Sequence, residues 1–244
     1  MRTLGIIGQG SFGKFTAKHL DGVFKLETYD VGDHDSQFNR VSECDYILLA
    51  IPLSAYHEVL PRLAKKVTPD TVIVDVCSVK LKPHELIAEY LPNQDVLSVH
   101  PLFGPGTAPR GIEGQKLIVM RDVGSFMLHA DAQKLFDNLG LEVFQMDADS
   151  HDNMMAQMHS LTYFVTEALA DFGVGEWPIS LPSYDLLLSL VNLSSTHSAE
   201  LMATIQQGNP YAAEVRTKLV QSFNKIDQKY SSQPFDGTKT DKAK

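Results

Sequence analysis

Three short apolar runs in this chain end in residues able to do chemistry: YILLAIPLS (46–54), TVIVDVCSVK (71–80) and DVLSVHPLFGP (95–105). Each has the near-continuous hydrophobic character of a strand buried on both faces. Pro52, Ser78, Lys80 and His100 therefore fall at strand ends. His100 is the most informative of them, because imidazole can take or give a proton near neutral pH. It is followed by Pro101 and then by Gly104-Pro105, chain that continues neither a strand nor a helix. A stiff corner of that kind suits a group whose position matters. Ser78 is expected to hydrogen-bond one nitrogen of His100, fixing the tautomer and leaving the other nitrogen as a general base. Lys80 either joins the same rim or is a solvated loop lysine.

A second pattern lies upstream. IIGQGSFG (6–13) fits G-x-G-x-x-G, with Gly8, Gly10 and Gly13 between a strand-like run and a helical one. The first Gly permits a tight turn, the second lets a pyrophosphate approach the backbone, and the third lets helix pack on strand. Phosphates then sit at a helix N-terminus, where free N–H groups and the dipole favour negative charge. Gln9, Ser11 and Phe12, between the glycines, join the expected contact set, as do Ile51 and Pro52 at a neighbouring strand end. Asp30 closes the run FKLETYD about 20 residues on, where an acid can bind both ribose hydroxyls. A carboxylate there repels a 2′-phosphate, so NAD is favoured. His34 and Arg40 nearby keep NADP open, and Asp30 could instead simply start the VGDHD loop.

These residues need a scaffold, and the first part of the chain supplies one. Runs at 3–8, 24–30, 46–52, 71–76, 95–100, 116–120 and 141–146 read as strands, with amphipathic stretches at Phe12–Leu20, Ala55–Lys66 and Ala130–Leu139 among them. Such alternation predicts an α/β, Rossmann-type doubly wound, mostly parallel sheet over residues 1–147. In that architecture ligands bind beyond the carboxyl ends of the strands, which brings Pro52, Ser78, Lys80 and His100 to one rim. After residue 147 the pattern is helical. DADSHDNMMAQMHSLTYFVTEALADFG reads as one long helix, capped by Asp149 or Ser150 and stopped by Gly173. Its apolar stripe is Met154, Met158, Leu161, Val165, Leu169 and Phe172. A second helix is expected over 184–207 and a third over about 212–229. Residues 148–230 thus make a small all-α domain, and residues 231–244 a polar tail expected to be disordered.

Composition narrows the possibilities. Of the 244 residues 43% are hydrophobic, enough for a real core, and the formal charge of -9 argues against a nucleic-acid binder. No run offers the roughly 18 clean apolar residues of a membrane span, and MRTLGIIGQG is too short an apolar run for a signal peptide. Cys44 and Cys77 are too few for a disulfide framework or a zinc site, so no metal and a cytoplasmic setting are expected.

Taken together, IIGQGSFG, DVCSVK, HPLFGP and HDNMMAQMH resemble the motif order of the prephenate/arogenate dehydrogenase family of tyrosine biosynthesis, over roughly residues 4 to 205. SYDLLLSLVNLSS is similar to the plant-type arogenate enzymes. The resemblance implies oxidative decarboxylation of a cyclohexadienol, with His100 as base and Ser78 orienting it and approaching the nicotinamide. It also implies substrate-binding roles for Lys80, Thr107, Arg110, His151, His159 and Tyr163. Arg110 could equally be an exposed loop charge, and His159 a packing residue. Two departures stand out: Tyr163 replaces a second His of many members, and a Thr-Arg pair of the bacterial enzymes is missing from NLSSTHSAEL. The resemblance further implies a homodimer in which helical domains pack together. The competing readings are a β-hydroxyacid or pyrroline-carboxylate type dehydrogenase and a non-catalytic NAD-binding regulator.

Overall fold

The computed structural model describes residues 1–195 and 197–232; the expected tail beyond them lies outside the described residues. Every strand expected from the sequence is present: β1 (Thr3–Ile7), β2 (Lys25–Tyr29), β3 (Tyr46–Leu49), β4 (Val72–Asp75), β5 (Asp95–Pro101), β6 (Lys116–Met120) and β7 (Glu142–Met146). They form one sheet in the order β2-β1-β3-β4-β5-β6-β7. It is parallel except where β6 runs against β5. The helices interleaved with these strands are α1 (Ser11–Leu20), α2 (Asp35–Ser42), α3 (Tyr56–Leu63), α4 (Leu81–Tyr90) and α5 (Phe126–Asn138).

Right-handed crossovers sort these helices onto two faces. The chain moves one way from β1 to β2 and the other way from β2 to β3, β4 and β5. Hence Phe38 and Val41 of α2, Leu60 and Leu63 of α3, and Leu86 and Ile87 of α4 pack on Ile7, Ile47, Leu49 and Ile73. The other face carries α1 and α5, with Leu128, Ala132 and Phe136 on Leu48, Val74, Leu97 and Val119. That thinner cover leaves a cavity of about 230 Å³ lined by Phe12, Phe15, Val74, Leu97 and Phe136 among others. The reversal after β1 opens a crevice between the carboxyl ends of β1 and β3, with β4 and β5 next along the same rim.

The helical part departs from the sequence expectation in two places. The long helix begins at Asp147, whose side chain accepts from the Ser150 N–H, rather than at Asp149 or Ser150. It comprises α6 (Ala148–Met155), a π-helical turn over Ala156–Ser160, and α7 (Leu161–Phe172), ending at Gly173 with φ 92°. The wider turn advances the side chains that follow it by about 100° against a continuous α-helix. The expected stripe is broken: Met158 is 55% and Phe172 85% exposed, Met154, Leu161, Val165 and Leu169 are partly buried, and Ala156, Ser160 and Thr166 are buried. Met154 and Met155 precede the turn and pack with Ile118, Met120 and Met146. The expected second helix is two, α8 (Pro182–Ser194) and α9 (Ala199–Gln207), the latter capped by the Ser198 hydroxyl accepting from the Leu201 N–H. Clustered Ser and His residues compete for backbone hydrogen bonds and favour such a break. The last helix is α10 (Ala212–Ser231).

One ion pair lies wholly inside the α/β layer. Lys80 and Asp75 are both fully buried, with Nζ 2.6 Å from Oδ2. The ammonium also donates to the Val99 carbonyl at 2.7 Å. The Asp75 carboxylate accepts from the hydroxyls of Tyr56 (2.7 Å) and Ser98 (2.8 Å) and from the Cys77 N–H (3.0 Å). Burial alone would raise its pKa, but the Lys80 charge and these donors hold it below the ordinary value. The pair ties the end of β4 to the end of β5, directly beneath His100. Removing one partner strands the other charge. Lys80→Met should lower the unfolding free energy by about 3–5 kcal/mol, seen as a lower urea midpoint, and an unchanged midpoint would show that the pair contributes nothing.

Candidate active site

The glycine-rich turn has the geometry of a phosphate cradle. Gly8 has φ 100°, and a Cβ there would lie 2.2 Å from the Ala50 carbonyl oxygen. A Cβ on Gly13 would lie 1.9 Å from the Gly8 oxygen, so helix and strand approach only because both residues are glycine. Gly10, by contrast, has nothing within 4 Å of its Cβ direction. It caps α1 with no side-chain hydrogen bond, which leaves the first N–H groups of the helix open. Open donors, a helix N-terminus and free space fit a pyrophosphate. Ile51 borders Gly8, and Pro52 follows at the end of β3.

Asp30 stands at the carboxyl end of β2, in the loop before α2. Its Oδ1 accepts from the Val31 N–H, and its own N–H donates to Asp33. The position suits a ribose. Arg40 pairs with Glu27 on β2 at 3.0 Å, and His34 is engaged in the capping box of α2 with Gln37. The two residues that kept NADP open thus have other partners.

At the rim of β5 the expected pairing is replaced by a different one. Nδ1 of His100 lies 2.9 Å from Nε2 of His151, not against Ser78, and Nδ1 of His151 lies 2.8 Å from Oδ1 of Asp152. All three residues are buried. Asp152 also accepts the backbone N–H groups of Lys80 (2.8 Å) and Leu81 (2.9 Å), so a carboxylate of α6 caps the N-terminus of α4. The proton order follows. A carboxylate that accepts backbone donors takes a proton bond from Nδ1–H of His151. Nε2 of a neutral His151 is then an acceptor, and His100 must donate Nδ1–H to it. Nε2 of His100 keeps its lone pair and has no partner among the described residues. Burial first, then the neighbouring His151, His159 and Lys80, push the pKa of His100 well below its ordinary value. The imidazole is neutral, and the hydrogen bond to His151 fixes its tautomer.

The remaining expected site residues separate. Ser78 lies on the same rim, half-buried, without a hydrogen bond to His100. Lys80 is sealed beneath the site by Asp75 and faces no substrate space. His151, expected at the substrate, is wholly buried and hydrogen-bonds to His100. The Thr107 hydroxyl accepts from the Gly104 N–H at 3.0 Å within its own turn, and Arg110 is exposed on the same loop. His159 and Tyr163 do line up with His100: ring centroids are 5.9 Å apart for His100–His159 and 4.8 Å for His159–Tyr163. His197, which the sequence reading did not single out, extends the row at 4.8 Å from Tyr163. Its Nδ1 is buried without a partner among the described residues. Asp152 and Asp75 were also missed as functional groups, although each sits inside a quoted motif, HDNMMAQMH and DVCSVK.

Burial pushes the His159 pKa down to about 4 from an ordinary 6.5, helped by His197 and His151. A histidine held neutral in the fold but protonated in the unfolded chain stabilises fully above about pH 6.5, and that stability is lost as pH falls toward the folded value. His159→Gln should therefore lose less of its urea midpoint than the parent protein between about pH 7 and about pH 5. An equal loss would remove His159 from the acid response.

Known proteins resemble this chain in both sequence and fold. Residues 21–117 match the family described as prephenate dehydrogenase, nucleotide-binding domain. Arogenate dehydrogenase 2, chloroplastic, of Arabidopsis thaliana is 27% identical over 263 residues, covering 96% of this chain and 74% of that protein. The T-protein of Haemophilus influenzae is 26% identical over 208 residues, covering 81% of this chain but only 54% of its own length. Prephenate dehydrogenase from Aquifex aeolicus, solved in complex with hydroxyphenyl propionate and NAD+, superposes with a TM-score of 0.70 at 18% identity, covering 93% of this chain and 90% of that one. In its nucleotide-binding segment, its motifs and its fold, the chain is thus similar to prephenate and arogenate dehydrogenases.

Proposed function

We propose that the chain is an NAD-dependent dehydrogenase that oxidatively decarboxylates prephenate or arogenate, giving 4-hydroxyphenylpyruvate or tyrosine. The observation that carries this reading is the line Asp152–His151–His100, which presents a bare imidazole Nε2 beside the strand ends that border the nucleotide crevice. Bound in that crevice, with Asp30 on the ribose, NAD would supply the hydride acceptor for C4 of the ring. The protein's task is then small, because aromatisation drives the reaction. Nε2 of His100 accepts the proton of the 4-hydroxyl as positive charge develops on C4. Ser78, half-buried on the same rim, would approach the nicotinamide, and His159 and Tyr163, in line with His100, would wall the cleft on the helical side. The name of the Arabidopsis relative and the NAD+ bound to the Aquifex relative support substrate class and cofactor.

The test is a steady-state assay with prephenate and with arogenate, each with NAD and NADP. Turnover with NAD is expected for at least one substrate. His100→Asn should cut kcat by about 10²-fold or more with NAD affinity nearly unchanged. A fully active His100→Asn would end the assignment.

We also infer that the helical part, residues 148–230, pairs two copies of the chain in a homodimer. Trp177, Ile179, Leu181 and Leu186 between and along α7 and α8 are 68–90% exposed, and Phe223 and Ile226 present an apolar stripe on α10. Soluble monomers rarely leave so much apolar surface uncovered. Light scattering at micromolar concentration should give twice the chain mass; a monomer would defeat the pairing.

A further inference from the structure

A single base suffices for the proposed reaction, yet two imidazoles and a carboxylate stand in line. His100 is 5% exposed, and His151 and Asp152 are fully buried. A proton arriving at Nε2 of His100 puts charge on a ring that no carboxylate touches. The groups around that ring are two neutral imidazoles, His151 and His159, and the Lys80 ammonium, none of them an anion. One hydrogen bond further in, the surroundings reverse. His151 touches the Asp152 carboxylate at 2.8 Å, and the nearby Lys80 charge is matched by Asp75. Burial lowers both histidines, but Asp152 opposes the shift at His151, while nothing opposes it at His100. A proton shared between the two rings therefore belongs on His151.

Resting on the proposed dehydrogenase reading, we propose that His151 stores the substrate proton during turnover, through a double transfer across the His100 ring. As the C4–H electron pair leaves with the hydride to the nicotinamide, the O–H pair becomes the second C–O bond. The released proton bonds to Nε2 of His100 while the Nδ1–H proton passes to Nε2 of His151. His100 ends neutral in the opposite tautomer, and His151 ends as an imidazolium against Asp152. When carbon dioxide departs, the pair of the ring–carboxylate bond enters the ring and the carbonyl pair returns to oxygen. That oxygen recovers a proton from Nε2 of His100, and His151 hands its own back to Nδ1. No net proton is released, which matches a phenol as product. His100 is the catalytic residue; His151 is a positioning residue that also carries charge.

Two measurements test this. Nitrogen-15 NMR of histidine-labelled protein, without substrate or cofactor, should show the Nδ1–H tautomer of His100 at neutral pH. On acidification the first imidazolium of the pair should appear at His151. A first imidazolium on His100 would overturn the proposal whether or not the chain proves to be a dehydrogenase. In assays, His151→Gln keeps an acceptor for Nδ1–H of His100 but cannot hold a proton. It should slow kcat by about 10²-fold with KM little changed, and turn a curved proton inventory in mixed light and heavy water into a linear one. Failure of the parent protein to oxidise either substrate would strike the functional reading alone; a His151→Gln rate within twofold of an active parent would strike the relay alone.

Discussion

The Asp152 carboxylate is the constraint on which the rest of the site depends. It belongs to α6, yet it closes the N-terminus of α4 through the amides of Lys80 and Leu81 and holds His151 through Nδ1. One side chain thus docks the first helical segment onto the α/β layer and sets the proton order of both imidazoles. The partial positive charge at the α4 N-terminus favours the ionised carboxylate, so the anion opposite His151 is secured by backbone rather than by a mobile cation. The main chain is fastened as well, since the Asn209 amide donates to the Asp152 carbonyl at 2.7 Å. Rotating α6 by one residue would break all of these bonds together.

Beneath this line, Lys80 and Asp75 supply the complementary constraint. A lysine with no exposure is costly unless its donors are met, and here Asp75 and the Val99 carbonyl meet them. Val99 precedes His100, so the ammonium grips the backbone that carries this imidazole. Its charge, near His100 but neutralised on the far side by Asp75, helps keep that imidazole unprotonated. The two buried carboxylates have separate duties: Asp75 places the strand end, and Asp152 orients His151 and through it His100.

The sheet was legible in the sequence because parallel strands buried on both faces leave continuous apolar runs, and YILL, VIVD and DVLSVH all fall where strands lie. The glycine turn was legible for a similar reason, since Gly8 and Gly13 occupy places where no Cβ fits. His100 at a strand end followed from the same pattern. What could not be read is what lies between distant elements. Asp152 caps a helix that starts 71 residues earlier in the chain, and no local pattern announces a cap donated from elsewhere. The partner of His100 was misjudged on the same ground: Ser78 is near in topology, but His151 is delivered by α6. The π-helical turn at Ala156–Ser160 carries no composition signal, and it redirected the face of α7 on which the apolar stripe had been counted.

That turn also explains the character of the cleft wall. It sits at His159, in the segment that brings His159 and Tyr163 into line with His100 and continues to His197. The row is built of rings that are neutral at physiological pH; burial lowers the two histidines and raises the Tyr163 hydroxyl. The cations of the site region lie elsewhere, Lys80 matched by Asp75 and Arg110 exposed on its loop. Under the proposed reading, an anionic ring acid entering a protein of net charge -9 would meet neutral rings along this wall. His197, whose buried Nδ1 has no partner among the described residues, closes the far end of the row. Uncharged rings along the wall leave the Lys80 ammonium, matched by Asp75, as the cation that bears on His100.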